Sequence, residues 1–359
     1  MFKKTLKLLH LWLSIPFGLI IVLMCLSGAI LIFERDFGHI GQAEVDPNGK
    51  TPLPLNTILS SAKHFLKGKN DITGLTIYPE THHAYKVNLA KPSMAAIWIN
   101  QYTGEVTGYY ERAEIFKFAN SAHRRLFGQT KVKGGAGAKA GKTIIGITTI
   151  ATLLIIISGL ILWWPRKGEW RKKLKLSFRS GAYKFWYDFH CLGGFISSLI
   201  LIICIITGLN WSFGWYRDAY YGLLGSEVAK SSSHKTPAVN YQAWDSAYQN
   251  IEAENTGKEI RIYQGEIDVM EGEFGNQQAS STYKFDPENG KIINLKSYSD
   301  KARSNKIKGW SYSLHVGSWI GWLSKILYLI CVLIGAGLPI TGYYLWIKRL
   351  ILKKRKSAN

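Results

Sequence analysis

The chain has 359 residues and a formal net charge of +21, and 47% of its residues are hydrophobic. That average is ordinary for a soluble protein, but the apolar residues are concentrated in a few long blocks, which indicates a membrane protein. Many basic residues flank these blocks, so the charge gives little support to a nucleic-acid-binding protein, and we expect no nucleic-acid partner.

In the first half of the chain, a basic N-terminus leads into an apolar run at 11–33. Roughly 20 helical residues cross the core of a bilayer, so residues 1–33 are predicted to hold the N-terminus and the first transmembrane helix. We expect this helix to remain as an uncleaved anchor, because the run is too long for a signal peptide. An outer segment follows at 34–143, with a flexible linker predicted at 135–143, and residues 144–164 predict the second transmembrane helix.

The second half repeats this order. A basic loop at 165–191 precedes a predicted transmembrane helix at 192–213, and an outer segment at 214–319 precedes a last one at 320–346 and a basic tail at 347–359. The positive charges of the N-terminus, the loop and the tail place both termini in the cytoplasm. Since the first and third helices then run the same way, the halves are parallel repeats related by an axis along the membrane normal.

Each outer segment predicts a small α+β module, because a stretch with helical spacing is followed by stretches that alternate like strands. In the first segment these are a helix at 55–66, strands at 73–78 and 84–89, and a stretch at 96–99 that leads into a turn at Thr103-Gly104 before Val106. In the second they are a helix at 241–251, strands at 259–263 and 281–285, and a turn at 286–290 before residues 291–294. The predicted fold class is a membrane α-helical protein, a four-helix transmembrane bundle of two parallel repeats with two small α+β modules outside.

Histidines recur at matching places in the two halves. His10 and His190 open apolar runs at the cytoplasmic ends, and each run reaches a small residue and a glycine at the same offset, Ser27-Gly28 and Thr207-Gly208. His123 and His315 precede the outer ends of the second and fourth helices. The four histidines therefore fall into two layers, and their doubling suggests paired ligands for a buried cofactor.

Less specific explanations exist for each of these residues. A single histidine at a helix end is more often an interfacial residue than a ligand, and glycines in membrane helices often only permit close packing. The remaining histidines have no match in the other half and are predicted to be surface residues: His39, His64, His82, His83 and His234. Adjacent histidines on a strand point to opposite faces, which disfavours a metal site at His82 and His83.

The order of elements and several short motifs resemble the PepSY-associated transmembrane family, which includes bacterial siderophore-iron reductases. The motifs are Leu9-His10, Thr103-Gly104-Glu105-Val106, Ala122-His123-Arg124-Arg125-Leu126, Asp188-Phe189-His190 and Leu314-His315-Val316-Gly317. The resemblance implies a multi-pass protein of the bacterial inner membrane, with PepSY-like modules in the periplasm and b-type haem held by pairs of histidines.

With that resemblance, His10 and His190 are expected to hold one haem b and His123 and His315 a second, because low-spin haem takes two axial imidazoles from facing helices. Arg124 and Arg125 are candidates to pair with haem propionates or, equally, with lipid phosphates. Gly28 and Gly208 would let the macrocycle or a neighbouring helix approach.

The expected function is electron transfer across the membrane to a periplasmic acceptor, most simply the ferric iron of a siderophore. The sequence contains no dinucleotide fingerprint and no flavin-type domain, so the electron donor is either a membrane quinol or a cytoplasmic reductase. Two alternatives stay open. The outer modules are the working parts of an anchored binding protein, or the haem protein reduces an acceptor other than iron.

Overall fold

The computed structural model describes residues 1–37, 44–128, 136–229 and 240–358. The chain forms two compact units. The membrane unit comprises Met1–Glu34, Ile115–Gly225 and Ser311–Asn359, and the sheet unit comprises Arg35–Glu114 and Ser226–Trp310.

The helices are α1 (Phe2–Ile32), α2 (Glu34–Phe37), α3 (Leu55–Leu66), α4 (Glu114–Arg125), α5 (Ala136–Trp163), α6 (Trp170–Lys173), α7 (Ala182–Ser212), α8 (Gly214–Leu223), α9 (Tyr241–Glu252), α10 (Arg303–His315) and α11 (Trp322–Ala358). The strands are β1 (Ile72–Ile77), β2 (Tyr85–Leu89), β3 (Ala96–Ile99), β4 (Val106–Tyr110), β5 (Ile260–Tyr263), β6 (Glu266–Met270), β7 (Ser280–Phe285) and β8 (Ile292–Lys296).

The four predicted transmembrane helices are confirmed as α1, α5, α7 and α11, each long and apolar enough to cross a membrane. The chain is therefore a multi-pass membrane protein. Three of these helices begin earlier than the hydropathy suggests, and α1 already begins at Phe2. Helix α7 begins at Ala182 within the basic loop, and α5 begins at Ala136, so the flexible linker predicted at 135–143 is wrong from residue 136 onward. Alanine and lysine, which favour helices, are frequent in that stretch, and Gly135 lies outside the described residues.

The long helices form a ring in which α1 packs against α5 and α11, and α7 packs against the same two helices. Moving an apolar side chain from lipid into a helix interface gives no hydrophobic free energy. Membrane helices therefore associate mainly through small residues that allow close approach. Gly18 of α1 lies beneath the ring of Tyr343, whose hydroxyl donates a 2.7 Å hydrogen bond to Ile15 O. Gly193 of α7 lies against Ile334. These two glycines serve helix packing.

In the sheet unit, the outer segments of both halves share a single antiparallel sheet of eight strands in the order β4-β3-β2-β1-β5-β6-β7-β8. The prediction of two separate modules is corrected here, because β1 and β5 pair with each other in the register Leu75↔Ile262, Thr76↔Arg261 and Ile77↔Ile260. In separate modules β1 and β5 would each be an edge strand with unpaired backbone groups, and the pairing satisfies both edges at once.

Helices α3 and α9 bury their apolar sides in the core of this sheet unit, and most predicted strands occur within a residue or two of their expected bounds. For β4 and β8 only the preceding turn was predicted, and strand β6 was not predicted. Its signal was the alternation of buried Ile267 and Val269 directly after Gly265, which occupies the left-handed region at φ 77° and closes a tight hairpin with β5.

Candidate functional site

His10 of α1 and His190 of α7 face each other inside the membrane unit, with ring centroids 6.2 Å apart and ring planes at 84°. We name them the inner pair, after the predicted orientation of the chain. Each Nδ1 is hydrogen-bonded to a backbone carbonyl and a side-chain hydroxyl of an adjacent helix: Ile155 O at 3.1 Å and Ser158 Oγ at 3.0 Å for His10, and Leu338 O at 3.1 Å and Thr341 Oγ1 at 3.0 Å for His190.

His123 of α4 and His315, the last residue of α10, form the outer pair, with centroids 6.1 Å apart and ring planes at 59°. Their Nδ1 atoms have the same kind of partners: Met24 O at 2.9 Å and Ser27 Oγ at 3.3 Å for His123, and Cys204 O at 3.1 Å and Thr207 Oγ1 at 3.1 Å for His315.

The four partner sets have one design, which we call the clamp: a carbonyl, a serine or threonine hydroxyl three residues later, and a glycine directly after that. The glycine leaves room for the imidazole edge, because a Cβ added there would lie close to Cε1 of the held ring. That distance is 2.9 Å at Gly208 (His315), 3.2 Å at Gly28 (His123) and Gly159 (His10), and 3.5 Å at Gly342 (His190). The clamp thus fixes both the position and the hydrogen bonding of each ring.

The clamp also determines which nitrogen carries the proton. Each hydroxyl already donates to a carbonyl of its own helix, as Thr207 does to Ile203 O at 2.6 Å and Ser158 to Ile155 O at 2.9 Å. Toward the imidazole both groups therefore act as acceptors, so Nδ1 must be the donor and Nε2 keeps its lone pair. Within the described parts of the chain, Nε2 of these four histidines has no hydrogen-bond partner.

Burial keeps the outer pair neutral. It lowers the pKa of His315 to about 3, to which the neighbouring His123 and the Arg124 guanidinium contribute. It also lowers the pKa of His123, against the opposing effect of the hydrogen bond to Met24 O. Neutral imidazole is the form that binds a metal, so both rings are ready ligands at neutral pH.

All four histidines line one cavity of about 1370 Å³ in the membrane unit. Cationic side chains line it at both ends, among them Arg124, Arg125, Lys139 and Lys142 near the outer pair, and Lys7, Lys172, Lys173, Lys184 and Arg349 near the inner pair. On α1, His10 and the Met24 carbonyl that holds His123 are separated by about four turns, a rise of roughly 21 Å. The cavity therefore contains two ligand pairs at two depths.

This geometry fits a porphyrin iron between the members of each pair. Two opposed metal–imidazole bonds of about 2 Å, with the ring radii added, put the centroids of two axial imidazoles about 6 Å apart, and the observed separations are 6.2 and 6.1 Å. The described residues contain no group of three or more histidine, cysteine, aspartate or glutamate side chains placed to hold a metal ion. Two imidazoles per site, in a cavity with a largely apolar lining, are a donor set that fits haem.

The predicted site residues come together as follows. The four histidines form the two expected pairs, and Arg124 and Arg125 line the cavity beside the outer pair. Gly28 and Gly208 face histidine rings as members of clamps. Of the remaining histidines, His64, His82 and His83 belong to the sheet unit, where His83 Nδ1 lies 3.4 Å from a Glu80 carboxylate oxygen, and His39 and His234 lie outside the described residues.

Two of the four clamps, Ser158-Gly159 and Thr341-Gly342, were not predicted from the sequence. The repeated offset connected His10 with Ser27-Gly28, whereas Ser27-Gly28 holds His123 and Ser158-Gly159 holds His10. The available signal was that a hydroxyl residue followed by glycine occurs in every predicted transmembrane run.

Fold and site together define a four-span membrane protein with an eight-stranded sheet unit and two buried histidine pairs. The chain matches the model of the PepSY-associated TM region family over residues 8–349 and belongs to this family. No curated protein matches it.

Proposed function

We propose that the protein is a haem b electron-transfer protein that carries electrons across the bacterial inner membrane to an acceptor in the periplasm. The observation that supports this most strongly is the pair of matched sites, each with two imidazoles at axial-ligand spacing whose Nε2 atoms point away from their clamps. When bound, haem supplies a reversible one-electron ferric–ferrous couple.

The residues of the chain have distinct tasks in this proposal. The four histidines would bind iron through Nε2, and the clamps hold each ring in that orientation by accepting from Nδ1–H, as outer partners of metal-bound histidines generally do. Arg124 and Arg125 would hold propionates of the outer haem through charge-assisted hydrogen bonds. The apolar cavity walls exclude water from both sites.

Two depths about four helical turns apart, roughly 21 Å, divide the membrane crossing of the electron into shorter transfers. The inner pair would take electrons from a membrane quinol or a cytoplasmic reductase, and the outer pair would pass them to the periplasmic side. For the acceptor we propose the ferric iron of a siderophore. Reduction to Fe(II) weakens binding by hard oxygen ligands and so releases the metal.

The decisive experiment is spectroscopic. Protein expressed with ample haem and purified in mild detergent should give a b-type difference spectrum between oxidised and dithionite-reduced samples, with two haems per polypeptide in a pyridine haemochrome assay. Protein reduced under anaerobic conditions should then be reoxidised by a ferric siderophore in a stopped-flow measurement. Absence of haem from the purified protein would overturn the proposal, and haem that ferric siderophores leave reduced would overturn the choice of acceptor.

One feature of the sheet unit favours a second candidate function. Strand β8 is at the end of the sheet order, and its Ile293 and Leu295 side chains are 68% and 49% exposed. Such an edge can add a strand from a periplasmic peptide or protein. The two functions can be separated in cells by measuring growth on ferric siderophore iron. If substitution of His10 leaves this growth intact while charged residues at 293 and 295 abolish it, the sheet unit carries the function and the helices anchor it.

A further inference from the structure

Two cationic side chains at the mouth of the cavity are in register with the inner pair. Lys7 precedes His10 by one turn of α1, and Arg349 follows Gly342, which faces His190, by two turns of α11. Residues three or seven apart share a helix face, and both side chains line the cavity. Because α1 and α11 pack side by side, the two cations flank the same end of the inner site.

Two of the other cations nearby are already engaged. Lys184 forms an ion pair with Asp188, and Lys173 Nζ donates a 3.1 Å hydrogen bond to Trp163 O at the end of α5. Among the residues that the structure describes, no carboxylate forms an ion pair with Lys7 or Arg349. These two side chains therefore have charge to offer to a ligand in the cavity.

We propose that Lys7 and Arg349 form an anion site that binds the two carboxylates of the porphyrin at the inner pair. This rests on the function proposed above. Haem b carries two propionates on one edge, and an ionised carboxylate beside an apolar cavity needs a cationic partner to offset its desolvation. The arrangement corresponds to Arg124 and Arg125 at the other end of the cavity, which would serve the outer site in the same way.

Lipid phosphate is the competing ligand for basic residues at a membrane surface. The chain contains matched positions for that role. Lys3 lies one turn before Lys7 on α1, and Lys348 is the neighbour of Arg349 on α11, and neither lines the cavity. If these residues only bound lipid headgroups, substitution of Lys7 would have the same effect as substitution of Lys3, and substitution of Arg349 the same effect as substitution of Lys348.

The test uses the full chain with His123→Ala, which leaves only the inner site. In this background we compare Lys7→Gln, Arg349→Gln and the double variant with the controls Lys3→Gln and Lys348→Gln. Transfer of haem to excess apomyoglobin should be about fivefold faster in each single variant, near the upper limit for a partly exposed ion pair, and faster still in the double variant. The haem midpoint potential should fall in the same variants, because loss of positive charge favours ferric iron, and both controls should match the background.

A second arm changes the ligand and leaves the protein unaltered. Apoprotein reconstituted with haem dimethyl ester, which lacks the carboxylates, should lose its porphyrin as fast as the double variant loses haem, and the double variant should not distinguish ester from haem. Equal loss of haem and ester from the His123→Ala background, or equal effects of Lys7→Gln and Lys3→Gln, would overturn the inference while leaving haem binding in place. Absence of any haem from this background and from the unsubstituted protein would instead overturn the proposed function.

Discussion

The inner and outer pairs reach the same geometry by different routes. His10 and His190 belong to the transmembrane helices α1 and α7, whereas His123 and His315 belong to the short helices α4 and α10, outside the four spans. In all four cases the clamp is on a transmembrane helix. The helix that carries the clamp is thus of the same kind at all four positions, whereas the helix that supplies the histidine differs between the two pairs.

The two pairs also differ in their surroundings. In the outer pair, the ring centroid of His315 lies 5.1 Å from that of Trp211, and the clamp glycine Gly208 has the shortest distance of the four between an added Cβ and the imidazole. In the inner pair, Gly342 beside His190 has the longest such distance. Both histidines of the inner site therefore come from the helical bundle itself, while those of the outer site come from α4 and α10.

The largest expected effect comes from removing one ligand. Substitution of any one of the four histidines by alanine should halve the haem content, because the pairs are separate sites and each substitution removes one of the two imidazoles that would hold the haem of that site. His10→Ala and His190→Ala should remove the same haem, and His123→Ala and His315→Ala the other. Pyridine haemochrome quantitation per polypeptide measures this directly.

Two further variants make that result specific. His64→Ala, in α3 of the sheet unit, is the control and should keep both haems, whereas His10→Ala combined with His123→Ala should keep none. If one single substitution removed both haems, the two pairs would not be independent binding sites.

A smaller, graded effect is expected from adding a methyl group at each clamp glycine. The distances from the added Cβ to the imidazole predict that Gly208→Ala is the most damaging, Gly28→Ala and Gly159→Ala are intermediate, and Gly342→Ala is nearly neutral, since 3.5 Å is an ordinary contact. Haem content and the reduced-minus-oxidised spectrum should decline in that order. Gly214→Ala, at a position with open space around its Cβ, serves as the control.

The same series distinguishes the pairs. Gly208 belongs to the outer site and Gly342 to the inner one. The same added methyl group should therefore lower the haem content at Gly208, where the imidazole is close, and leave it nearly unchanged at Gly342. A strong effect of Gly342→Ala with a weak effect of Gly208→Ala would show that the fit of the ring against the glycine does not control ligation.

Much of the membrane unit could be predicted from local patterns. Apolar length gave the four spans, and the duplication gave the histidine pairs, because residues at equivalent places in parallel repeats lie at the same depth. The partners of the histidines could not be predicted this way. The offset from His10 to Ser27 is repeated because the chain is duplicated, and the residue that contacts His10 is Ser158 on another helix.

The sheet unit shows the same limit. Alternation and turn residues gave most strands, but nothing local in Ile72–Ile77 or Ile260–Tyr263 specifies that these strands pair with each other across the two halves. One sign was present: five of the six residues of β1 are buried, as expected of a central strand and not of an edge. Long-range pairing depends on which edges remain unsatisfied, and that is a property of the whole unit.

The smallest expected effect concerns the clamp hydroxyls, since the carbonyl remains when the hydroxyl is removed. With His123→Ala isolating the inner site, Thr341→Val deletes one of the two acceptors at His190 Nδ1, and Ser158→Ala does the same at His10. A weaker acceptor makes the imidazole a less basic ligand, which disfavours ferric iron, so the midpoint potential should rise. Haem loss should accelerate about fivefold, as expected for one hydrogen bond worth about 1 kcal/mol.

Thr341→Ser keeps the hydroxyl and should leave the midpoint potential and the rate of haem loss unchanged. Ser197→Ala is a second control, because it removes a hydroxyl that bonds only to its own helix at Gly193 O. The shift is opposite in sign to that expected for Lys7→Gln, so potentiometry separates the two influences on one haem. Equal shifts for Thr341→Val and Thr341→Ser would mean that the carbonyl alone orients the ring, and the hydroxyl would then serve only the internal bonding of its helix.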